Sequence, residues 1–231
     1  MKCAIIQPSY IPWRGYFHQI YMADVFIFFD DVQFDKNGWR NRNRVKTPNG
    51  STWLTIPVHT KGLTKEQAAI NNIEIDWSKN WNTKHIKTLR QSYNKAPYFE
   101  LYSSLLEDFY NPRPHLLADY TIELTIALTR ELGIDNTEFI LSSELNIPGS
   151  KTDRLIRILT AIGADHYISG PSAKDYMEED KFHTAEIKLE YMTYDYPEYQ
   201  QLYPPFDPYV SILDLLFMYG PQSGEYIWGK C

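Results

Sequence analysis

Cysteine is almost missing from this 231-residue sequence: Cys3 and Cys231 are its two thiols. Two thiols cannot build a disulfide framework, and without a CxxC pair a cysteine-ligated zinc site is excluded as well. Long apolar runs are missing too. The longest, Val25 to Phe29, falls far short of the ~20 residues a membrane span needs, and the four apolar residues after Lys2 are too few for a secretory h-region. The sequence therefore reads as a soluble cytoplasmic protein with no membrane span. Basic residues are in the minority, 23 Lys and Arg against 29 Asp and Glu, for a net charge of −6. That balance argues against a predominantly basic nucleic-acid binder and leaves a local basic patch open. Phosphate-binding glycine loops are absent: there is no GxGxxG and no GxSxG. Gly224 to Lys230 has the glycine and lysine spacing of a phosphate loop, but Cys231 stands where that motif requires Ser or Thr, so the match is chance. Six scattered histidines give no HxxxH pair on a clear helix, and no metal site is expected.

Aromatic residues, by contrast, are plentiful at 15% of the chain, with 18 Tyr and 6 Trp. Tyr and Trp combine a flat apolar face with a hydrogen-bonding tip, which suits stacking on bases or sugars. Apolar and charged fractions are otherwise ordinary, and the length fits a single domain over 1–231.

The hydropathy pattern is that of an α/β protein. Cys3–Ile6 and Val25–Phe29 read as buried strands flanking a helix over Pro12–Ala23, which makes a parallel βαβ unit. Asn49-Gly50 joins two extended runs within 39–58 into a hairpin. The polar stretch 59–72 reads as a mobile loop. A helical segment over 78–133 forms an insertion or subdomain: Ser78 is its candidate N-cap, helices cover about 97–110 and 114–132, and Gly133 ends the last one. Glu138–Leu141 reads as a third buried strand. Ser150 to Asp153 has the form of a capping box opening a helix that ends at Gly163. Strands at His166–Ile168 and Ile187–Tyr191 and a helix over Ser211–Tyr219 complete a mostly parallel sheet.

Open parallel sheets bind ligands at the carboxyl ends of their strands, near the reversal of strand order. That rule selects Gln7, Tyr10, Asp30, Asp31, Ser169 and Gly170. Adjacent Asp30 and Asp31 diverge after a strand, so at most one of them works as a base or a Mg²⁺ ligand. If Trp39 to Arg44 is extended, Arg40, Arg42 and Arg44 share one face and Trp39, Asn41 and Asn43 the other. The arginines then either grip a pyrophosphate or guard a sheet edge. Among the histidines, His85, two turns before Tyr93, is the candidate to keep.

Several motifs together resemble one family over essentially the whole chain: Gln7-Pro8-x-Tyr10-x-Pro12, Gly15-Tyr16-Phe17, Asp30-Asp31-Val32-Gln33 and Trp39-x-Asn41-Arg42-Asn43. They continue through Trp53, Trp81, His85, Tyr93, Pro97-Tyr98-Phe99, Tyr167-x-Ser169-Gly170, Tyr176 and Ser211-x-x-Asp214. These residues resemble the WbqC-like protein family, known chiefly from bacterial gene clusters for surface polysaccharides and other glycoconjugates. The resemblance implies a role in making or decorating unusual sugars. The first βαβ unit is also similar to that of nucleotidylyltransferase-like enzymes such as pantothenate synthetase, which implies a Rossmann-like fold. Their HxGH signature is replaced here by Trp13-Arg14-Gly15-Tyr16, so both histidines that serve adenylyl transfer are missing.

Three functions compete. The first is N-acyl or aminoacyl transfer to an amino-sugar nucleotide, from a thioester donor such as coenzyme A or an acyl carrier protein. Asp31 or His85 would be the base, and Asn41 or Gln7 would polarise the acyl carbonyl. Arg42 and the helix start at 13–15, with Gly15, would hold the pyrophosphate, and Tyr16, Trp39 and Tyr93 would stack, with Gln33 beside them. The second is an ATP- and Mg²⁺-dependent nucleotidyl transferase or ligase using Asp30 or Asp31. The third is a non-catalytic sugar-nucleotide-binding protein of a glycan pathway.

Overall fold

The computed structural model describes residues 1–64 and 68–229. The chain opens with β1 (Lys2–Ile6), α1 (Arg14–Met22) and β2 (Val25–Phe28). A hairpin, β3 (Arg42–Thr47) and β4 (Gly50–Thr55), and a short pair, β5 (Val58–His59) and β6 (Glu74–Ile75), follow. Three helices come next: α2 (Trp81–Tyr93), α3 (Ser103–Tyr110) and α4 (Leu117–Glu131). The remainder alternates: β7 (Glu138–Leu141), α5 (Ser142–Leu145), α6 (Lys151–Ala161), β8 (His166–Ser169), α7 (Glu179–Thr184), β9 (Lys188–Tyr191) and α8 (Ile212–Tyr219).

Five of these strands form one sheet in the order β7-β2-β1-β8-β9, all parallel. From β1 the chain steps outward through β2 and β7, then returns to the other side of β1 for β8 and β9. This is the Rossmann-like arrangement, and it puts the reversal of strand order between β1 and β8. The two-residue period of the strands divides the core. Ala4, Phe26, Phe28 and Ile168 pack with Phe17, Ile20 and Leu128 on one side of the sheet. Cys3, Ile5, Val25, Ile27 and Tyr167 pack with Leu155, Ile158 and Phe182 on the other. Both faces are covered, which is why the inner strands read as unbroken apolar runs.

Local chemistry explains where elements begin and end, and where expectation fails. Gly50 turns the hairpin at φ +100, a conformation that favours glycine. Ser78 does not cap α2. It lies in a 3-10 helix, Trp77–Lys79, where its backbone N–H and hydroxyl donate to Asp76, and α2 starts at Trp81. Ser150 precedes α6 but makes no capping bond through its side chain. The helix expected over 97–110 is interrupted by a 3-10 turn at Glu100–Tyr102 before α3. β7 is half-buried rather than fully buried because it is the edge of the sheet. The stretch read as a loop over 59–72 is stitched down at its end: Phe34 donates to the Ala68 carbonyl and Asn71 to the Asp30 carbonyl. Lys65–Gln67, within that stretch, lie outside the described residues, as do Lys230 and Cys231 of the phosphate-loop match. The described part of that match overlaps a 3-10 helix, Gly220–Tyr226. No helix among the described residues is long and apolar enough to cross a membrane.

Candidate functional site

At the reversal point the loop leaving β1 runs into α1, and the end of β8 approaches α1 at Gln19. The β1 loop holds a strained residue, Ile11, at φ 37. A β-branched residue in the left-handed region costs about 1–3 kcal/mol and persists where its surroundings fix it. Asn43 does the fixing: its Nδ2 donates to the carbonyls of Tyr10, at 3.2 Å, and Ile11, at 2.8 Å. Tyr10 N–H donates to the Trp39 carbonyl, and Ile212 N–H donates to that of Pro12. The loop is thereby tied to the hairpin and to α8.

Between this loop, α1 and the Trp39–Arg40 turn lies a cavity of about 320 Å³. Its inner wall is built from the buried residues Ser9, Tyr16, Gln19 and Asn43, with Trp13 beside them. Trp39 and Tyr209 form the rim, 42% and 62% exposed. The Trp13 indole lies over Gly15, where any Cβ would overlap the ring. Gln19 Nε2 donates to the Tyr194 hydroxyl at 2.5 Å, while its Oε1 is buried without a partner. The end of β8 abuts this wall, because a Cβ on Gly170 would meet Tyr194 Oη at 3.5 Å and Gln19 Nε2 at 3.9 Å.

Among the described lining residues one cation, Arg40, faces the cavity. Arg40 donates from NH1 to the Gln7 carbonyl at 3.0 Å, and the Tyr16 hydroxyl donates to the same carbonyl at 3.2 Å. Arg40 Nε is buried without a partner, and among the described residues no carboxylate lies within ion-pair distance of this guanidinium. Burial lowers its pKa, opposed by Tyr16 and Asp35. A desolvated guanidinium without a paired anion favours binding of one.

The other sequence-selected residues fall into separate places. Tyr10 and His85 belong to a sealed aromatic cluster on the far side of the β1 loop. The Tyr10 hydroxyl lies 2.9 Å from His85 Nδ1 and also bonds the Tyr110 hydroxyl. Trp81 and Tyr120 close the cluster edge-on, their rings 5.7 Å apart. Burial pushes the His85 imidazole down to about 4 and raises the phenols of Tyr10, Tyr110 and Tyr120. His85 is thus a neutral ring inside a packed core, and it does not line the cavity.

Asp30 and Asp31 do not diverge. Both turn to α5: Ser142 Oγ lies 2.6 Å from Asp31 Oδ1 and 3.0 Å from Asp30 Oδ1. Asp30 also accepts from Ser143 N–H and Ser143 Oγ, and Asp31 pairs with Arg154. Asp30 therefore caps α5, and Asp31 is neutralised by α6. Asn41 is buried and donates to the Ile56 carbonyl. The face assignment of the arginines fails because β3 begins at Arg42, so residues 39–41 turn instead of alternating. Arg42 leaves the cavity and stacks over Trp53, 4.5 Å from the ring centre. Tyr93 is buried, its hydroxyl donating to Asp214. Gln33 is exposed and bridges through its backbone to Ala69. Of the expected binding residues, Tyr16 and Trp39 line the cavity, while Gln7, Gly15 and Gly170 only touch lining residues: Gln7 through its carbonyl, Gly15 beneath Trp13, and Gly170 near Gln19. Ile6, Ser9, Pro12, Trp13, Gln19, Arg40, Asn43 and Tyr209 line the rest of it. The motif containing Arg40 was visible, but no local pattern separates it from Arg42.

A family model described as the WbqC-like protein family matches residues 7–226. The chain is 38% identical over 229 residues to the Mycobacterium tuberculosis protein named "Uncharacterized protein Rv1507c", covering 98% of this chain and 97% of that relative. No solved structure matches significantly.

Proposed function

The chain belongs to the WbqC-like protein family, and from that premise we propose that it binds a nucleotide-linked amino sugar in the cavity and acts as a transferase of surface-glycan or glycoconjugate biosynthesis. Transfer of an acyl or aminoacyl group from a thioester donor to the sugar amine is the reaction this reading favours. The observation that carries it is the desolvated Arg40 guanidinium lining one cavity together with the aromatic side chains of Trp13, Tyr16 and Trp39. Aromatic faces suit sugar and base, and a guanidinium suits pyrophosphate. The Arg40 guanidinium is also suited to an oxyanion formed on an acyl carbonyl, whereas the Ser9 hydroxyl is already donated to the Gln7 carbonyl. Asp31, His85 and Asn41 take no part in this reading, since each is engaged by structural partners.

A second reading, a non-catalytic sugar-nucleotide-binding protein, is favoured by one observation. Among the described lining residues there is no carboxylate, imidazole or thiol. The ATP- and Mg²⁺-dependent reading draws less support, because Ser142, Ser143 and Arg154 already occupy the oxygens of Asp30 and Asp31.

Thermal shift against UDP- and dTDP-linked amino sugars, ATP with and without Mg²⁺, and coenzyme A tests the proposal. A ligand at one hundred times its Kd adds about 2.7 kcal/mol, a rise of roughly 5–10 °C for a chain of this size. Sugar nucleotides are expected to give it in the wild type, and Arg40→Ala to weaken their binding by roughly 10- to 100-fold through loss of a charged hydrogen bond. A Mg²⁺-dependent shift with ATP alone overturns the proposal. Binding of sugar nucleotide without acyl turnover from coenzyme A or carrier-protein thioesters decides for the second reading.

A further inference from the structure

A nucleotide-linked sugar consists of a sugar, two phosphates, a ribose and a base, and a cavity of about 320 Å³ lies at the lower end of the 300–1,000 Å³ usual for small-molecule sites. One part of such a ligand fits inside and the rest must lie elsewhere. The rim continues onto the outer face of the β3–β4 hairpin, where Trp53 stands 44% exposed, its ring centre 5.2 Å from that of Trp39. Trp53 faces Arg44 across the hairpin, and the guanidiniums of Arg42 and Arg44 lie 4.5 and 5.8 Å from its ring centre. Arg44 also approaches the rim residue Tyr209, at 5.7 Å. The result is a continuous strip of aromatic faces and guanidiniums running out of the cavity on a chain whose net charge is −6. Two carboxylates bear on it: Asp207 is 3.6 Å from Arg44, and Asp35 acts on Arg40. Arg42 donates to the Asn37 carbonyl and has no acidic partner among the described residues. The inner wall, by contrast, offers hydroxyls and amides, the partners of sugar hydroxyls.

We propose that the strip is the nucleoside-diphosphate subsite: the base stacks on Trp53 beside Trp39, the phosphates lie between Arg40 and Arg42, and the sugar alone enters the cavity toward Gln19. This orientation rests on the sugar-nucleotide reading of the cavity. It makes Trp53 and Arg42, which do not line the cavity, determinants of nucleotide affinity.

Calorimetric titration with UDP, UMP and a UDP-linked amino sugar tests it, with tryptophan fluorescence as a second readout. Trp53→Ala is expected to weaken UDP and the UDP-sugar alike, by roughly 10- to 100-fold, the range of one base–aromatic stack. Trp53→Phe restores a flat ring and should recover most of that loss, which separates stacking from a damaged hairpin. Arg42→Ala should weaken both ligands and flatten the salt dependence of binding. Gln19→Ala should weaken the UDP-sugar and leave UDP within about twofold. If Trp53→Ala leaves the UDP-sugar affinity unchanged while Arg40→Ala weakens it, the ligand lies wholly inside the cavity: the orientation falls and the sugar-nucleotide reading stands. If neither UDP nor the UDP-sugar binds, both fall together. Tighter binding of oligouridylate than of UDP overturns the proposal in favour of single-stranded nucleic acid.

Discussion

Two aromatic clusters flank the β1 loop, and they are made of the same residue types. On one side Trp13, Tyr16, Trp39 and the Arg40 guanidinium line an open cavity. On the other, Tyr10, Tyr110, Trp81 and Tyr120 surround an imidazole in a sealed core. Composition does not distinguish them. What does is how the polar group at each centre is satisfied. His85 shares its proton network with Tyr10 and Tyr110 and is held neutral by burial. Arg40 stays charged, and among the described residues its side chain bonds only a backbone carbonyl. The His85–Tyr10–Tyr110 chain is neutral, and even the unpartnered Trp81 Nε1 and Tyr120 hydroxyl beside it carry no charge, whereas the charge of Arg40 leaves a demand that a ligand can meet.

Cutting into the sealed side gives the largest effect. Trp81 is 2% exposed and touches His85, Tyr110 and Tyr120. Trp81→Ala should destabilise the protein by about 3–5 kcal/mol, the usual cost of a large aromatic-to-alanine cavity. At about 2–4 °C per kcal/mol, a melting curve should fall by roughly 6–20 °C. Trp39→Ala, at the open rim, should change stability by less than about 0.5 kcal/mol while weakening ligand binding. Similar losses of stability from the two variants would erase the distinction.

Acid should find the sealed side next. His85 titrates near 4 in the folded protein and near the ordinary 6.5 in the unfolded chain. The unfolded state therefore binds the extra proton first, so stability is highest above pH 6.5 and declines as pH falls toward 4. A shift from 6.5 to about 4 corresponds to about 3 kcal/mol lost across that window. His18, lowered by burial in the same direction, adds to the slope. Urea titrations at pH 7 and pH 4.5 measure the decline, and His85→Gln should flatten most of it. An unchanged slope in that variant would place the acid sensitivity elsewhere.

These contrasts also show what could be read from residue order. The strands were legible because a buried parallel strand must be apolar on both faces, and Cys3–Ile6 and Val25–Phe28 are. Gly50 announced its turn through its conformation. Reading a site required knowing which side chains meet, and those meetings are long-range. Asp31 is claimed by Arg154, 123 positions away, and Tyr10 by His85 and Tyr110, 75 and 100 positions away. No local spacing encodes them. The Arg40–Arg42 exchange has a nearer cause: a three-residue turn before β3 undid an alternation that assumed a strand from Trp39.

The smallest of these effects concerns Asp31, whose position at the end of β2 matches the rule that led to the cavity. Its side chain is 23% exposed and that of Arg154 9%, so the pair is only partly desolvated. Asp31→Asn should cost about 1–3 kcal/mol, less than a fully buried pair, because solvent screens the aspartate side. The loss should be additive with Arg40→Ala, since the two sites share no bond and independent sites add. Sugar-nucleotide affinity should stay within about twofold of wild type. A large loss of affinity or turnover at unchanged stability would instead make Asp31 part of the working site. The strand-end rule would then have been right about the residue and the static pairing with Arg154 would be a resting state. Arg154→Met separates those outcomes. A structural pair predicts that it destabilises as Asp31→Asn does, whereas a resting state predicts that freeing Asp31 raises turnover.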